Sequence, residues 1–554
     1  MAAEETKLEP KKFGELAVPG EDSSDQLHLE TQPLNQNGER KFEGRSDSKY
    51  LGKTLENLHD IFKFQARRSK ENKYKSCGIY LTIILLVLSF ACTVFMVGTN
   101  WFDTTLEKII TLSNGTFIYN LWQDSDVEVV VRVYPFNYTN VEAVLAGMEK
   151  PVLKEVGPYV FKQNISKWNI NFHGMERITY SENVSTVFLP EESKGTLADV
   201  IYTPNVLVIA SVNIVKELNM YTQLTFSATL KSFKVQPFWK LSIHECIFGY
   251  EEKIKILSDI VTLLDQEIAP TTGLLSNRMG LLPDEITIGT GVPDLAKRGI
   301  IQQYNGKETV GAWEGDECNN ITSSDGILLP AETVRSGETL YFFRRILCRR
   351  FPFTYENYTT TAQGYPVKRY RMLDHIFSYG RNFSHNYCYC RGRVCPPSGI
   401  FYPSPCYYDS PIFFSKPHFM DGDGVLLEDV KGLNPDPEKH TSSVDVHDVG
   451  VVVGAVLNLQ VGVTMHKARF VTPFNRMKDG MALPIGWISI GSTNLTGEAN
   501  SLIYHLTYTA PMLKLSLQCG FPLLFLLLLT SLFFYFSNCS AVRSTICRSI
   551  YSCR

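Results

Sequence analysis

The residues with the most chemical potential in this 554-residue chain are its cysteines, thirteen in all. Six of them crowd together: Cys318, Cys348, Cys388, Cys390, Cys395 and Cys406. Thiols at such spacing either hold zinc or oxidise to disulfides. One residue between Cys388 and Cys390 is a poor gap for chelation, so disulfides are the better reading, and spacing alone does not choose among the many pairings. Cys246 is left over, as a buried thiol or one half of an intermolecular bridge. Asp421 and Asp423 lie in a DGDG string, where a metal or an acid–base pair competes with a solvated turn, and the turn is favoured. His244 stands alone and reads as structural rather than as a pH sensor. Gly-x-Ser-x-Gly, His-Glu-x-x-His and P-loop motifs do not occur in the sequence, so the expectation is a non-enzyme with no cofactor and no metal.

Disulfides require an oxidising compartment, and the sequence supplies a route to one. Cys77–Gly98 and Leu515–Phe536 are uncharged apolar stretches of 22 residues each, long enough to cross a hydrocarbon core. The first is preceded by 76 residues, so it is not a cleaved signal. Lys63, Arg67, Arg68, Lys70, Lys73 and Lys75 precede the first stretch, and Arg543, Arg548 and Arg554 follow the second. The positive-inside tendency then puts both termini in the cytoplasm and residues 99–514 outside. Acceptor sequons at Asn114, Asn137, Asn164, Asn183, Asn320, Asn357, Asn382 and Asn494 all fall between the stretches, and residues 1–76 contain none. That asymmetry predicts glycosylation of the outside segment.

Residues 1–76 hold 14 basic and 14 acidic residues with few large apolar ones. That composition predicts a mostly disordered tail, with a short interfacial helix around residues 54–65 and a basic collar at the membrane. In residues 537–554, Cys539, Cys547 and Cys553 lie among basic and small residues, as candidates for palmitoylation. The whole chain, at 44% hydrophobic, 20% charged and net charge −3, excludes global disorder and gives no electrostatic case for nucleic acid. Its mean hydropathy of −0.07 disfavours a polytopic transporter.

The 416 residues between the spans suffice for one large folded domain. Short Val-, Ile-, Thr- and aromatic-rich runs, such as residues 127–133, 184–189, 460–463 and 485–490, are punctuated by turn residues and predict antiparallel strands. Residues 205–265 instead place Ile214, Leu218, Leu224 and Leu230 at helical spacing. The fold class expected is therefore mainly β with a helical insertion, anchored by two terminal transmembrane helices.

Several strings follow one another along the chain: RVYPFNYTN (132–140), EVGPYV (155–160), ECIFGY (245–250), WEGDECNNITSSD (313–325), NYCYCRGRVC (386–395), SKPHF (415–419), GLNPDPEKH (432–440) and PIGW (484–487). With the two spans, they resemble the class B scavenger receptor family from Trp101 to the second span. The resemblance implies a distorted antiparallel β-barrel topped by an apical helix bundle, with a lipid tunnel down to the membrane. It also implies the pairs Cys318–Cys388, Cys348–Cys406 and Cys390–Cys395. The 76-residue tail departs from the family, in which it is usually much shorter.

The resemblance places ligand capture in the apical helices. In that region Lys231, Phe233 and Lys234, then Trp239 and Lys240, set cations beside aromatics. Cations there would attract an anionic head group while the rings cover an apolar chain; ordinary solvated lysines are the bland alternative. The function expected is a cell-membrane receptor that binds fatty acids, sterols, carotenoids or lipoprotein particles and passes lipid inward. A lysosomal or endosomal cargo receptor that binds a protein is the second reading, and a two-span ligand-gated channel a remote third. Whether the chain forms a homo-oligomer is left open by the sequence.

Overall fold

The structure, a computed structural model, describes residues 48–124, 128–250, 273–392, 394–407, 409–492, 495 and 497–551. Residues 1–47, Asn494 and Cys553, on which sequence expectations fall, lie outside the described residues. The chain divides into two units, Met1–Thr82 and Ile83–Arg554.

Both apolar stretches are helical. The first lies in the helix Ser48–Gly98, which also takes in residues 54–65. The second lies in Ala510–Tyr551, continued on its N-terminal side by a π-helical turn, His505–Thr509, and the helix Gly497–Tyr504. Phe90 and Phe525 pack with ring centroids 5.5 Å apart. Hydroxyls within the apolar stretches bond to their own helix: Thr82 to the Gly78 carbonyl, Ser89 to Leu86, Thr93 to Ser89 and Thr530 to Leu527. This removes the penalty of an unpaired donor in hydrocarbon. At the base, Lys514 Nζ lies 2.7 Å from Asp103 Oδ2.

Between the helices the chain is mainly antiparallel sheet. Its strands are β1 (Val129–Tyr138), β2 (Leu153–Glu155), β3 (Tyr159–His173), β4 (Arg177–Phe188), β5 (Val200–Pro204), β6 (Phe238–Ser242), β7 (Gly280–Leu281), β8 (Ile286–Gly289), β9 (Ile301–Tyr304), β10 (Leu340–Arg344), β11 (Arg349–Thr360), β12 (Pro366–Met372), β13 (Ile400–Phe401), β14 (Ile412–Ser415), β15 (Ser443–His447), β16 (Val451–Met465) and β17 (Met481–Ser492). Fifteen of them form one sheet in the order β10-β11-β12-β15-β16-β17-β1-β3-β4-β8-β9, with β2, β7, β13 and β14 as side branches. β9 and β10, the two ends of that path, do not pair directly. A single crossing segment stitches them instead: Ile301 N–H donates to the Ser323 carbonyl and Ser324 N–H to the Tyr341 carbonyl, each at 2.8 Å.

The strands carry β-branched and aromatic residues that suit a pleated, half-buried surface. Close approach fixes one glycine of the PIGW string, because a Cβ at Gly486 would stand 2.9 Å from the Tyr134 carbonyl oxygen. Residues 205–250 fold as two helices, Val206–Val215 and Met220–Ser232, then β6 and a short helix, Ile243–Phe248. β6 pairs only with β5, so Trp239 and Lys240 stand on a strand rather than within the helical cluster. The helix Val206–Val215 is buried on nearly every side, which is why it lacks an amphipathic pattern.

Candidate functional site

β16 ties the two ends of the domain together. At its start, Val451 and Val453 pack in a cluster with Ile110, Leu112, Ile503 and Leu506, beside the ends of the apolar helices. At its far end, the Thr464 carbonyl accepts from Asn213 Nδ2 of the helix Val206–Val215 at 3.0 Å. Its fifteen residues span about 50 Å at the usual rise of a strand. A cavity of about 370 Å³ runs alongside, lined by Val206 and Leu274 near the helices, by Val461, Leu459 and Leu457 of β16, and by Val453 and Val452 near the base. Most of the wall is aliphatic or aromatic, drawn from β1, β3, β8, β9, β10, β14 and β17 as well. The inward alternation of separate strands builds it, so no single stretch of sequence carries its signature.

One part of the wall is charged. Lys167, Glu182, Arg278, Asp325, Arg344 and Arg345 all line the cavity. Lys167 and Glu182 face each other across the β3–β4 pair, with Nζ 2.9 Å from Oε1, and Arg345 Nη2 lies 2.9 Å from Glu182 Oε2. Burial alone would raise the Glu182 carboxyl, but these two cations override it and hold it at about 2. Asp325 accepts from Trp122 Nε1 at 3.1 Å and from the backbone N–H of Ile327 and Leu328, and burial raises its pKa. Sequence reasoning missed this group. The one signal available was a charge within each of β3 and β4, Lys167 and Glu182, which the register sets opposite each other.

The expected capture residues separate into two places. Lys231 lies in the last turn of the helix Met220–Ser232, and Phe233 and Lys234 follow the helix, all exposed. Phe233 is 54% exposed after the helix; Tyr221, 76% exposed, stands near its start, where Leu218, Met220 and Leu224 are exposed too. Exposed apolar side chains and two lysines thus stand on or next to a helix whose other face packs on the core through Phe226 and Leu230. Trp239 turns inward, its ring 4.7 Å from Tyr250, whereas Lys240 is exposed. His244 is also exposed, its ring tilted against that of Phe248 with centroids 4.9 Å apart.

A second polar cluster joins the strings that sequence reading singled out. Glu155 Oε2 accepts from His418 Nε2 and from Trp487 Nε1, each at 2.7 Å, and Oε1 accepts from Lys439 Nζ at 2.9 Å. The Asn434 N–H donates to His418 Nδ1 at 3.0 Å, which fixes the proton on Nε2. His440 stacks on His418 at 4.6 Å, and Tyr134 stacks on Trp487 at 3.9 Å with Lys439 over both rings. Burial, reinforced by His418 and Lys439, lowers His440 to about 4. Burial would raise Glu155, but its three donors hold it at about 2. The Glu155 contacts form a structural network, in which His440 Nε2 is buried without a hydrogen-bond partner.

Cys318–Cys388, Cys348–Cys406 and Cys390–Cys395 are bonded, with Cα atoms 6.0, 6.3 and 4.8 Å apart. Cys246 is buried in the main core, and burial pushes its thiol up to about 12, which suppresses thiolate chemistry. Asn114, Asn164, Asn357 and Asn382 are exposed; Asn137, Asn183 and Asn320 are half-buried. Asp421 pairs with Lys416 at 2.5 Å, and Asp423 accepts from the Ser398 N–H. No cluster of metal-ligating side chains occurs among the described residues.

Two apolar terminal helices enclosing a disulfide-bonded β domain with an internal apolar cavity define the class: the architecture fits a two-span membrane protein. Residues 80–536 match the model of the CD36 family, and the chain belongs to that family. It is 32% identical over 393 residues to Lysosome membrane protein 2 of Mus musculus, covering 70% of this chain and 80% of the relative. It is 29% identical over 386 residues to Scavenger receptor class B member 1 of Rattus norvegicus, covering 69% and 74%.

Proposed function

We propose that this chain is a class B scavenger receptor of the cell membrane that captures hydrophobic ligands or lipoprotein particles on its helical patch and passes lipid through the cavity to the membrane. Both termini are cytoplasmic in this reading, and residues 99–514 form a glycosylated domain outside. The observation that supports it most directly is the cavity beside β16, lined by that strand from Val461 to Val452 and mostly apolar along its wall. Burying an acyl chain there contributes about 25 cal/mol per Å² of apolar surface, so transfer runs downhill without an energy source or a catalytic step. Fatty acids, sterols and carotenoids fit the apolar wall. The sequons carry glycans, and Cys539, Cys547 and Cys553 carry palmitate.

Lipid extracted from the purified full chain and identified by mass spectrometry tests this reading. Co-purifying fatty acid, sterol or carotenoid in near-stoichiometric amount is expected. A preparation free of such lipid that also takes up none on incubation contradicts it.

A second reading, an endomembrane receptor for a protein cargo, is favoured by the likeness to Lysosome membrane protein 2. Localisation of the tagged full chain separates the two. The channel reading loses ground because the hydroxyls named above in the apolar helices are spent on their own carbonyls, whereas pore helices present polar groups to the conduction path.

A further inference from the structure

Among the described residues the charges around the cavity do not balance. Four cations, Lys167, Arg278, Arg344 and Arg345, share the wall with two carboxylates, Glu182 and Asp325. Glu182 is already taken by Lys167 and Arg345, and Asp325 is held by Trp122 and two backbone donors. Asp284 stands 3.8 Å from Arg345. Among the described residues no carboxylate lies within ion-pair distance of Arg278 or Arg344. Both line the cavity and are only partly buried. Burial lowers the pKa of each arginine, Arg278 to about 10; both stay protonated at neutral pH. Unpaired buried charge is costly, and a guanidinium is shaped to take carboxylate or phosphate oxygens two at a time. The adjoining wall, with Ile286, Ile301, Phe343, Leu457 and Ile488, suits a hydrocarbon chain.

We propose that Arg278 and Arg344 form a head-group site inside the cavity, where the carboxylate or phosphate of a single-chain anionic amphiphile docks with its tail along the apolar wall. This deepens the cavity reading given above and rests on it. The site is distinct from the exposed Lys231–Lys234 patch, and it makes the cavity a holding station for anionic lipid rather than a neutral pipe.

The test uses delipidated, detergent-solubilised full chain and three radiolabelled sixteen-carbon probes: palmitate, hexadecanol and palmitoyl lysophosphatidic acid. Wild type is expected to bind one or both acids about tenfold more tightly than the alcohol, and the preferred acid tells carboxylate from phosphate. Arg278→Gln with Arg344→Gln should abolish that preference and leave hexadecanol binding within about twofold. Arg278→Lys with Arg344→Lys keeps the charge, guards against a folding defect, and should retain part of the preference. Equal binding of acid and alcohol by wild type, or an undiminished preference in the Gln pair, overturns the head-group site while leaving the cavity reading standing. Failure of wild type to bind any of the three overturns both.

Discussion

The Glu155 carboxylate and the His418 imidazole, 263 residues apart in the chain, meet at 2.7 Å. Around that contact the EVGPYV, SKPHF, GLNPDPEKH and PIGW strings converge, contributing Glu155, His418, Lys439 with His440, and Trp487. The backbone at His418 is left-handed, with φ at +54°, and the Gln460 side chain accepts its N–H at 2.8 Å. The strings are thus the parts of one clamp between β2, β17 and the segments flanking β14 and β15. Glu155→Gln leaves buried donors facing a neutral amide and is expected to cost about 2 kcal/mol. A thermal melt of the purified full chain checks this; an unchanged midpoint contradicts the clamp.

The same clamp sets a response to acid. His440 titrates near 6.5 when unfolded and about 4 when folded. Below pH 6.5 the unfolded chain therefore takes up a proton that the folded chain refuses, and stability falls as pH drops towards 4. Glu155 shifts from 4.5 to about 2, so its contribution is present above 4.5 and is lost as pH falls towards 2. The melting temperature should decline from neutral pH downwards, and His440→Gln should flatten the upper part of that decline. A variant with the wild-type slope between pH 6.5 and 4 would show that other groups dominate.

Arg349 is buried among Tyr389, Phe401, Phe351 and Phe377, with the Tyr389 centroid 4.1 Å from its guanidinium carbon. Its Nη2 donates to the Ile376 carbonyl at 2.8 Å and to Asn386 Oδ1 at 2.9 Å. Lysine cannot stack flat or reach both acceptors, so Arg349→Lys should destabilise by about 2 kcal/mol. Denaturant midpoints measure it, and a loss too small to resolve would contradict the stacked role.

The three disulfides should contribute unequally. Cys318–Cys388 closes a separation of 70 residues and Cys390–Cys395 one of 5. Loop-closure entropy gives about 4 kcal/mol for the first and about 2 for the second. Paired Cys→Ala variants compared by melting should keep that order, and a reversed order would contradict the entropic account.

Much of the fold is legible from sequence because it rests on local signals. Both apolar helices show as uncharged runs, and β16 and β17 as Val- and Ile-rich stretches. β6 was less legible: its five residues sit between helices, and its one partner is β5, paired from Pro204 with Phe238 to Val200 with Ser242. The exposed lysines beside Phe233 could be read locally. The cavity could not, since Lys167, Arg278, Asp325 and Arg344 come from four separate segments and meet only when the sheet curls. Arg278 and Arg344 each look like an ordinary surface charge in the sequence, and their place in the cavity wall, with no carboxylate at ion-pair distance among the described residues, distinguishes them only in three dimensions.

The central claim is that lipid travels through the cavity beside β16. Val453→Trp and Leu457→Trp place indoles in that space without touching the exposed helix patch, and can be expressed at the cell surface in full-length protein. Uptake of labelled lipid from lipoprotein particles is then measured alongside particle binding. The account predicts that lipid uptake falls about tenfold while particle binding stays within about twofold of wild type. Undiminished lipid uptake in correctly folded, surface-displayed variants would contradict it.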